Sequence, residues 1–147
     1  MRIGSAAPDF ELPDQDARMF RLSAQRGRTV ILAFYPGDET PVCTRQLCDY
    51  RDGIDAFAGL GAEVVGISPD DAESHRAFRR HHGLPFTLLS DPGYDAAKLY
   101  GCKGMFGMKR GVFIVDSAGL LRYARVETLA LFRRHRQELI SVLQGLG

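Results

Sequence analysis

Two cysteines, Cys43 and Cys48, lie five residues apart in a segment that follows an apolar run and opens into a helical pattern. Thr40 suits the N-cap of that helix and Pro41 its first position, which places Cys43 at the third position. A thiol there faces unpaired backbone N–H groups and the positive end of the helix dipole, and both favour the thiolate. The pattern predicts a reactive thiol with a second thiol nearby. The alternative interpretation of Cys43 is a small buried hydrophobic residue.

The helical pattern predicts which way each cysteine points. At about 100° per residue, the apolar stripe of this helix holds Cys43, Leu47, Tyr50, Ile54 and Phe57. Cys43 is therefore predicted to face a sheet, and Cys48, off the stripe, to lean toward solvent. Five residues of helix separate two Cα atoms by about 8.7 Å, whereas a disulfide needs less than about 7 Å. A bond between the two cysteines therefore requires the first turns of the helix to unwind.

Length and composition limit the class of protein. A chain of 147 residues with 45% hydrophobic residues predicts one domain over residues 1–147 with a substantial core. The net charge of +1 gives no overall attraction to nucleic acid or to membranes. With no apolar leader or membrane-length segment in the sequence, we expect a soluble, cytoplasmic protein. Three cysteines are too few for a disulfide scaffold, so catalytic, redox-active or buried thiols are expected.

Strand and helix patterns alternate through the middle of the chain, with a hairpin near each end. The predicted strands are residues 10–12, 19–22, 29–35, 62–67, 85–89, 112–116 and 120–126. Besides the cysteine helix, the predicted helices are residues 68–82, ended by Gly83, 95–100 and about 129–143. The pattern predicts an α/β fold with a central mixed β-sheet, helices on both faces and an N-terminal β-hairpin extension.

The cysteine segment carries a family resemblance. Pro36-x-x-x-Thr40-x-x-Cys43 resembles the active-site motif of the peroxiredoxins. Cys48 resembles the resolving cysteine of their Q-type subgroup, also called bacterioferritin comigratory protein. Residues 7–10, 86–91 and 110–116 agree as well, so the likeness spans nearly the whole chain. Two departures, Val42 and Val112, stand where Gly and Thr are common in the subgroup, and neither removes a group that the chemistry needs.

The resemblance implies a thioredoxin-like fold and a thiol-dependent reduction of hydrogen peroxide and organic hydroperoxides. Cys43 would be the peroxidatic thiol, oxidised to a sulfenic acid, and Cys48 would resolve it as an intramolecular disulfide. Thr40 would hydrogen-bond the thiolate and the peroxide, Arg110 would supply the stabilising cation, and Pro36 would shield the sulfur from water.

Each supporting residue also has an ordinary structural interpretation. Thr40 can serve only as a helix cap, and Pro36 only as the end of a strand. Arg110, next to Lys109, can be a solvated surface charge.

The resemblance also implies the partners of an antioxidant enzyme: a hydroperoxide substrate and a thioredoxin-like dithiol that reduces the disulfide. No nucleic acid, membrane, cofactor or metal is expected. Because this subgroup resolves within one chain, a monomer is favoured over a weak homodimer. Two alternatives use the same cysteine pair, namely a redox sensor and a thiol–disulfide oxidoreductase. The second would be expected to carry Cys-x-x-Cys, which differs from the spacing found here.

Other polar residues are given structural interpretations. Cys102 is interpreted as incidental, with a second resolving thiol or a zinc ligand as alternatives. A zinc set of the three cysteines with His81 or His82 is disfavoured, because the spacing of the first two lies outside the usual metal knuckle. The basic runs at residues 79–82 and 133–136 are interpreted as solvated helix surface, with nucleic-acid contact as the alternative.

Overall fold

The computed structural model describes residues 1–127 and 136–146. The strands are β1 (Glu11–Pro13), β2 (Met19–Arg21), β3 (Thr29–Phe34), β4 (Ala62–Ser68), β5 (Thr87–Ser90), β6 (Lys103–Gly104), β7 (Gly107–Met108), β8 (Arg110–Val115) and β9 (Leu121–Glu127). The helices are α1 (Pro41–Asp52), α2 (Ile54–Gly59), α3 (Ala72–His82), α4 (Asp95–Leu99) and α5 (Arg136–Leu146), and a short 3-10 helix covers Leu22–Gln25.

Five strands form one mixed sheet in the order β5-β4-β3-β8-β9. β3 pairs in parallel with β4 and antiparallel with β8, so it lies at the centre. Every residue of β3 after Thr29 is buried, which is the pattern expected of a strand covered on both faces. The prediction of a mixed α/β sheet with a central third strand is confirmed.

The side chains of β3 alternate between two apolar clusters, one on each face of the sheet. One face is covered by α1, α2, α3 and α5 through Leu47, Phe57, Phe78 and Leu139. The other is covered by α4 and the β1–β2 hairpin through Ala96, Ala97, Leu12 and Phe20. The predicted helices on both faces and the N-terminal hairpin are therefore confirmed.

A second hairpin, β6–β7, lies inside the glycine-rich segment after α4. Sequence analysis missed it, because strands of two residues carry no detectable alternation.

Two predicted helices differ from the structure in their bounds. The helix predicted from residue 68 begins at Ala72, because Ser68 remains in β4 and the Asp71 side chain accepts a hydrogen bond from Ser74 N at 2.9 Å. Its predicted end at Gly83 is confirmed, with a left-handed φ of 61°. The cysteine helix is two helices divided at Gly53. Of the last predicted helix, residues 129–135 lie outside the described residues.

Candidate active site

The register of the central sheet places Arg110 beside the loop that leads into α1. Phe34, at the end of β3, pairs with Gly111, so Arg110 lies next to the point where the chain leaves β3. Because side chains alternate along a strand, Arg110 shares a face with Val112. Val112 packs in the same cluster as Cys43. Strand pairing therefore brings a cation from residue 110 to a thiol at residue 43.

The contact between Arg110 and Cys43 is direct. Arg110 Nη1 donates to Cys43 Sγ at 3.1 Å and to Gln46 Oε1 at 3.2 Å. Cys43 and Gln46 are fully buried and Arg110 is 5% exposed, so the interpretation of Arg110 as a solvated charge is wrong. A guanidinium N–H at this distance interacts more strongly with a thiolate than with a neutral thiol, especially away from water. The group can therefore hold a negative charge on sulfur.

Gln46 was not identified by sequence analysis. It lies three residues after Cys43, on nearly the same side of the helix, and its amide nitrogen donates to Tyr50 Oη at 3.1 Å. With one oxygen accepting from Arg110, Gln46 fixes the guanidinium against α1. A polar residue within the apolar stripe was the signal that could have found it.

The start of α1 matches the prediction in its backbone but not in its side-chain cap. Thr40 is the N-cap residue, Pro41 the first helical residue and Cys43 the third, and Thr40 O accepts from Thr44 N at 2.8 Å. The Thr40 hydroxyl makes no capping hydrogen bond to the helix, because it donates back to Gly37 O at 2.9 Å. The side-chain cap predicted for Thr40 is therefore wrong.

The remaining predicted site residues lie around this pair. Cys43 faces the sheet as predicted, whereas Cys48 is half-buried at the margin of the same apolar cluster rather than fully on the solvent side. Both are free thiols within one continuous helix, α1. Pro36 and Thr40 are exposed on the loop between β3 and α1. The structure thus brings Cys43 and Arg110 into contact, places Pro36 and Thr40 just before α1, and places Cys48 on the same helix two turns from its start.

Asp38, in that loop, is held by hydrogen bonds within the protein. Its carboxylate accepts from Tyr35 Oη at 2.6 Å and from Ser74 Oγ at 2.8 Å, and His75 Nδ1 lies 2.8 Å away. The other His75 ring nitrogen is 3.0 Å from Leu89 O. Both ring nitrogens of His75 therefore face acceptor oxygens. Burial and the Asp38 carboxylate raise the pKa of the Tyr35 hydroxyl, which keeps it a donor.

Glu39, the next residue, is tied to the end of α3. His81 Nδ1 lies 2.8 Å from one carboxylate oxygen and His82 Nε2 lies 2.6 Å from the other. These hydrogen bonds lower the pKa of Glu39. Glu39 has a left-handed φ of 61°, a conformation that costs a non-glycine residue about 1–3 kcal/mol. Two acids that could oppose a thiolate at Cys43 are therefore each engaged by other groups.

The zinc set of three cysteines with a histidine is not assembled. Within residues 1–127 and 136–146, the one group of three metal-ligand side chains close together is Glu39, His81 and His82, which includes no cysteine. His81 is exposed as predicted, whereas only 20% of the His82 side chain is exposed, so the interpretation of His82 as solvated surface is wrong. No spacing rule connects residue 39 to residues 81 and 82, so sequence analysis missed this cluster.

Cys102 lacks the features expected of a reactive thiol. It is fully buried, its sulfur donates to Tyr100 O at 3.8 Å, and burial raises the pKa of its thiol to about 12. A Cβ built on Gly111 would lie 2.6 Å from Cys102 Sγ, so this thiol is closely packed. These observations favour the interpretation of Cys102 as a structural residue.

Iodoacetamide at pH 7 is expected to leave Cys102 unmodified in the folded protein. With a pKa of about 12, roughly one Cys102 thiol in 10⁵ is ionised at that pH, and the thiolate is the reactive form. Peptide mapping by mass spectrometry after timed labelling measures the rate at each cysteine. Labelling in urea serves as the control, since all three thiols then react. Modification of native Cys102 at the rate of an exposed thiol would contradict this assignment.

Comparison with known proteins identifies the family. Residues 3–124 match the model of the AhpC/TSA family. The chain belongs to the AhpC/TSA family. It is 44% identical over 146 residues to peroxiredoxin Q, chloroplastic, of Oryza sativa subsp. japonica, a match that covers 97% of this chain and 67% of that protein. Its identity to peroxiredoxin Q, chloroplastic, of Populus jackii is 42%, with coverage of 97% and 68%.

A solved member of the same group has the same fold. The crystal structure of peroxidoxin BcpB from Mycobacterium tuberculosis superposes on this AhpC/TSA chain with a TM-score of 0.91 at 31% identity, covering 100% of this chain and 99% of that one. The predicted thioredoxin-like fold and the assignment to the Q-type peroxiredoxins are confirmed. The protein is accordingly a thiol-dependent peroxidase, as predicted.

Proposed function

We propose that this peroxiredoxin reduces hydrogen peroxide and organic hydroperoxides with Cys43 as its peroxidatic thiol. The observation that supports this role is the 3.1 Å contact of Arg110 Nη1 with Cys43 Sγ in a buried site at the first turn of α1. The thiolate sulfur attacks one peroxide oxygen, the O–O bond breaks, and Cys43 becomes a sulfenic acid. The second oxygen leaves as hydroxide or alkoxide and takes up a proton. Arg110 stabilises the charge that develops.

Thr40 and Pro36 complete the proposed pocket. Rotation about the Thr40 χ1 angle would turn its hydroxyl from Gly37 O toward the sulfur, where it would donate to the thiolate or the peroxide. Pro36, which carries no N–H group, would limit water near the sulfur. Cys43 is fully buried while Thr40 and Pro41 are exposed, so peroxide entry requires a small outward movement of this first turn.

Cys48 is the proposed resolving thiol. Its sulfur attacks the sulfenic sulfur of Cys43, an S–S bond forms, the S–O bond breaks, and water leaves. Ideal helix geometry keeps the two Cα atoms about 8.7 Å apart, beyond the reach of a disulfide, so part of α1 must unwind first.

The contacts of α1 beyond Cys48 hold its last turn in place. Asp49 accepts from Arg136 N at 2.8 Å, and Arg51 donates to His82 O at 2.6 Å. These contacts anchor the last turn of the helix to α5 and α3. Residues 41–48, which include both thiols, are therefore the segment expected to open.

A thioredoxin-type dithiol is the proposed reductant, because the disulfide is regenerated to two thiols only by an external electron pair. The reaction is completed within one chain, so we propose a single-domain monomer, with a weak homodimer as the alternative and no role for nucleic acid. Among residues 1–127 and 136–146, no helix combines the length and apolar character needed to cross a membrane. The two peroxiredoxin Q relatives named above are chloroplastic, and for this chain we propose a compartment, such as the cytoplasm, that supplies the dithiol.

One equivalent of hydrogen peroxide is expected to convert the reduced protein to a form lighter by two hydrogen atoms, with Cys43 linked to Cys48. In Cys48→Ser, the first oxidation should proceed within about twofold of the wild-type rate and stop at a sulfenic acid, because the peroxide step needs only Cys43. Intact-mass analysis and peptide mapping identify the linked sulfurs, and a dimedone adduct reports the sulfenic acid.

Cys102→Ala is the matched control and should still form the disulfide. A link between Cys43 and Cys102, or undiminished turnover of Cys48→Ser with thioredoxin, would contradict the resolving role. Repeated consumption of peroxide with a reductant present distinguishes an enzyme from a redox sensor, which is oxidised once per chain.

A further inference from the structure

We propose that Glu39, His81 and His82 form a binding site for a divalent transition-metal ion of the zinc type, and that the bound ion slows disulfide formation between Cys43 and Cys48. The binding site is inferred from geometry alone. The effect on the disulfide rests on the proposed function, and the two parts are tested separately.

The three side chains present the donors that such an ion prefers. Imidazole nitrogen and carboxylate oxygen bind zinc at about 2.0–2.2 Å, so tetrahedral ligands lie about 3.3 Å from one another. Here each imidazole nitrogen already lies 2.6–2.8 Å from a carboxylate oxygen of Glu39. One ligand atom from each residue lies within 4.8 Å of the other two. Small rotations of the three side chains therefore open the space for one ion.

The position in the fold also favours a cation. His81 and His82 are the last two residues of α3, where the helix dipole is negative and helix carbonyls lack intrahelical partners. The carboxylate of Glu39 adds a full negative charge. The side chains of Glu39 and His81 are about half or more exposed, so an ion can enter from solvent and keep water as a further ligand. Arg51 donates to the backbone carbonyl of His82.

The proposed metal site connects the start of α1, which must move before the disulfide forms, to the end of α3. Glu39 immediately precedes Thr40 and Pro41, where α1 begins, whereas both histidines belong to α3. Unwinding of residues 41–48 shifts the start of α1 and pulls Glu39 away from the histidines. If the ion binds only while residues 41–48 are helical, it reduces the fraction of molecules in which they are unwound by a factor of 1 + [ion]/Kd. At a hundredfold excess over Kd, disulfide formation should slow by up to about 100-fold.

Titration of the reduced full-length protein with zinc chloride tests the site itself. Isothermal titration calorimetry should give one equivalent bound, with the affinity reduced at least about tenfold in Glu39→Gln and in His81→Gln/His82→Gln. Cys43→Ser/Cys48→Ser should retain the wild-type affinity, since no cysteine is a proposed ligand. Unchanged affinity in Glu39→Gln and the double histidine variant, or loss of binding in the cysteine variant, would overturn the proposed site.

Rapid acid quenching followed by mass spectrometry tests the effect on the reaction. With zinc at saturation, wild-type protein should form its sulfenic acid at the metal-free rate but its disulfide many times more slowly. In Glu39→Gln, the rate of disulfide formation should change little when zinc is added. Equal disulfide rates in wild type with and without bound zinc would overturn the proposed coupling. Failure to form any Cys43–Cys48 disulfide without metal would instead refute the proposed function, whereas the calorimetric result on the site is independent of it.

Discussion

Cys43→Ser is expected to lower the rate of peroxide consumption by at least about 10³-fold, to the level of the solution background. A serine hydroxyl is not ionised near neutral pH, and its oxygen cannot accept an oxygen atom from the peroxide as sulfur does. The replacement removes the sulfur that Arg110 contacts in the buried site but changes the side-chain volume little. Stopped-flow or electrode measurement of peroxide consumption with a dithiol reductant provides the rate.

Controls separate this chemical effect from a loss of structure. Far-UV circular dichroism and the unfolding midpoint of Cys43→Ser should stay close to those of the wild type. Cys102→Ala, which removes a buried sulfur at another point of the core, should retain the wild-type rate. Peroxidase activity in Cys43→Ser above the background would mean that another thiol attacks the peroxide.

Arg110→Met is expected to slow the attack on peroxide by about 10²–10³-fold, the usual cost of removing one preorganised donor from a charge-stabilising site. Methionine fills much of the volume but carries no charge, so both the thiolate and the developing oxyanion lose their guanidinium partner. Single-turnover measurement of sulfenic acid formation provides the rate.

Two further variants test whether the effect depends on the position of the cation. Arg110→Lys keeps the charge but loses the planar guanidinium that contacts Cys43 and Gln46 together, so an intermediate rate is expected. Arg122→Met removes a surface arginine of β9 that pairs with Asp116, and it should leave the rate unchanged. An Arg110→Met enzyme with the wild-type rate would show that another cation supports the thiolate.

The strands with the clearest patterns were predicted within about two residues. The run from residue 29 has apolar side chains on both faces and became the central strand β3, since such a strand is stable only between two covering layers. The start of α3 was predicted too early, because Ser68 and the acidic residues after it are all polar and nothing in the sequence marks where the strand ends. The pairing of Ser68 with Ser90 shows that the strand continues through Ser68. The β6–β7 hairpin was missed because its strands of two residues are too short for a pattern.

The two thiols of the candidate site were predicted from the residues next to them in sequence, whereas Gln46, three residues after Cys43, was missed. The thiol at the first turn of α1 and its burial follow from a cap, a proline and an apolar stripe. By contrast, the pattern around Arg110 is that of an ordinary charge beside a strand, and only the family resemblance suggested its role. Its burial depends on the pairing of β8 with β3, which joins residues that are more than seventy positions apart.

The sequence by itself determined the two thiols, their spacing on one helix and hence the need for that helix to open before they can bond. Only the tertiary structure decided what surrounds them. The pairing of β3 with β8 brings Arg110 to Cys43, and the packing of α3 brings His75 to Asp38 and the two terminal histidines to Glu39. The physical reason is that helix geometry fixes distances between near neighbours, whereas charges distant in sequence meet only when strands and helices pack.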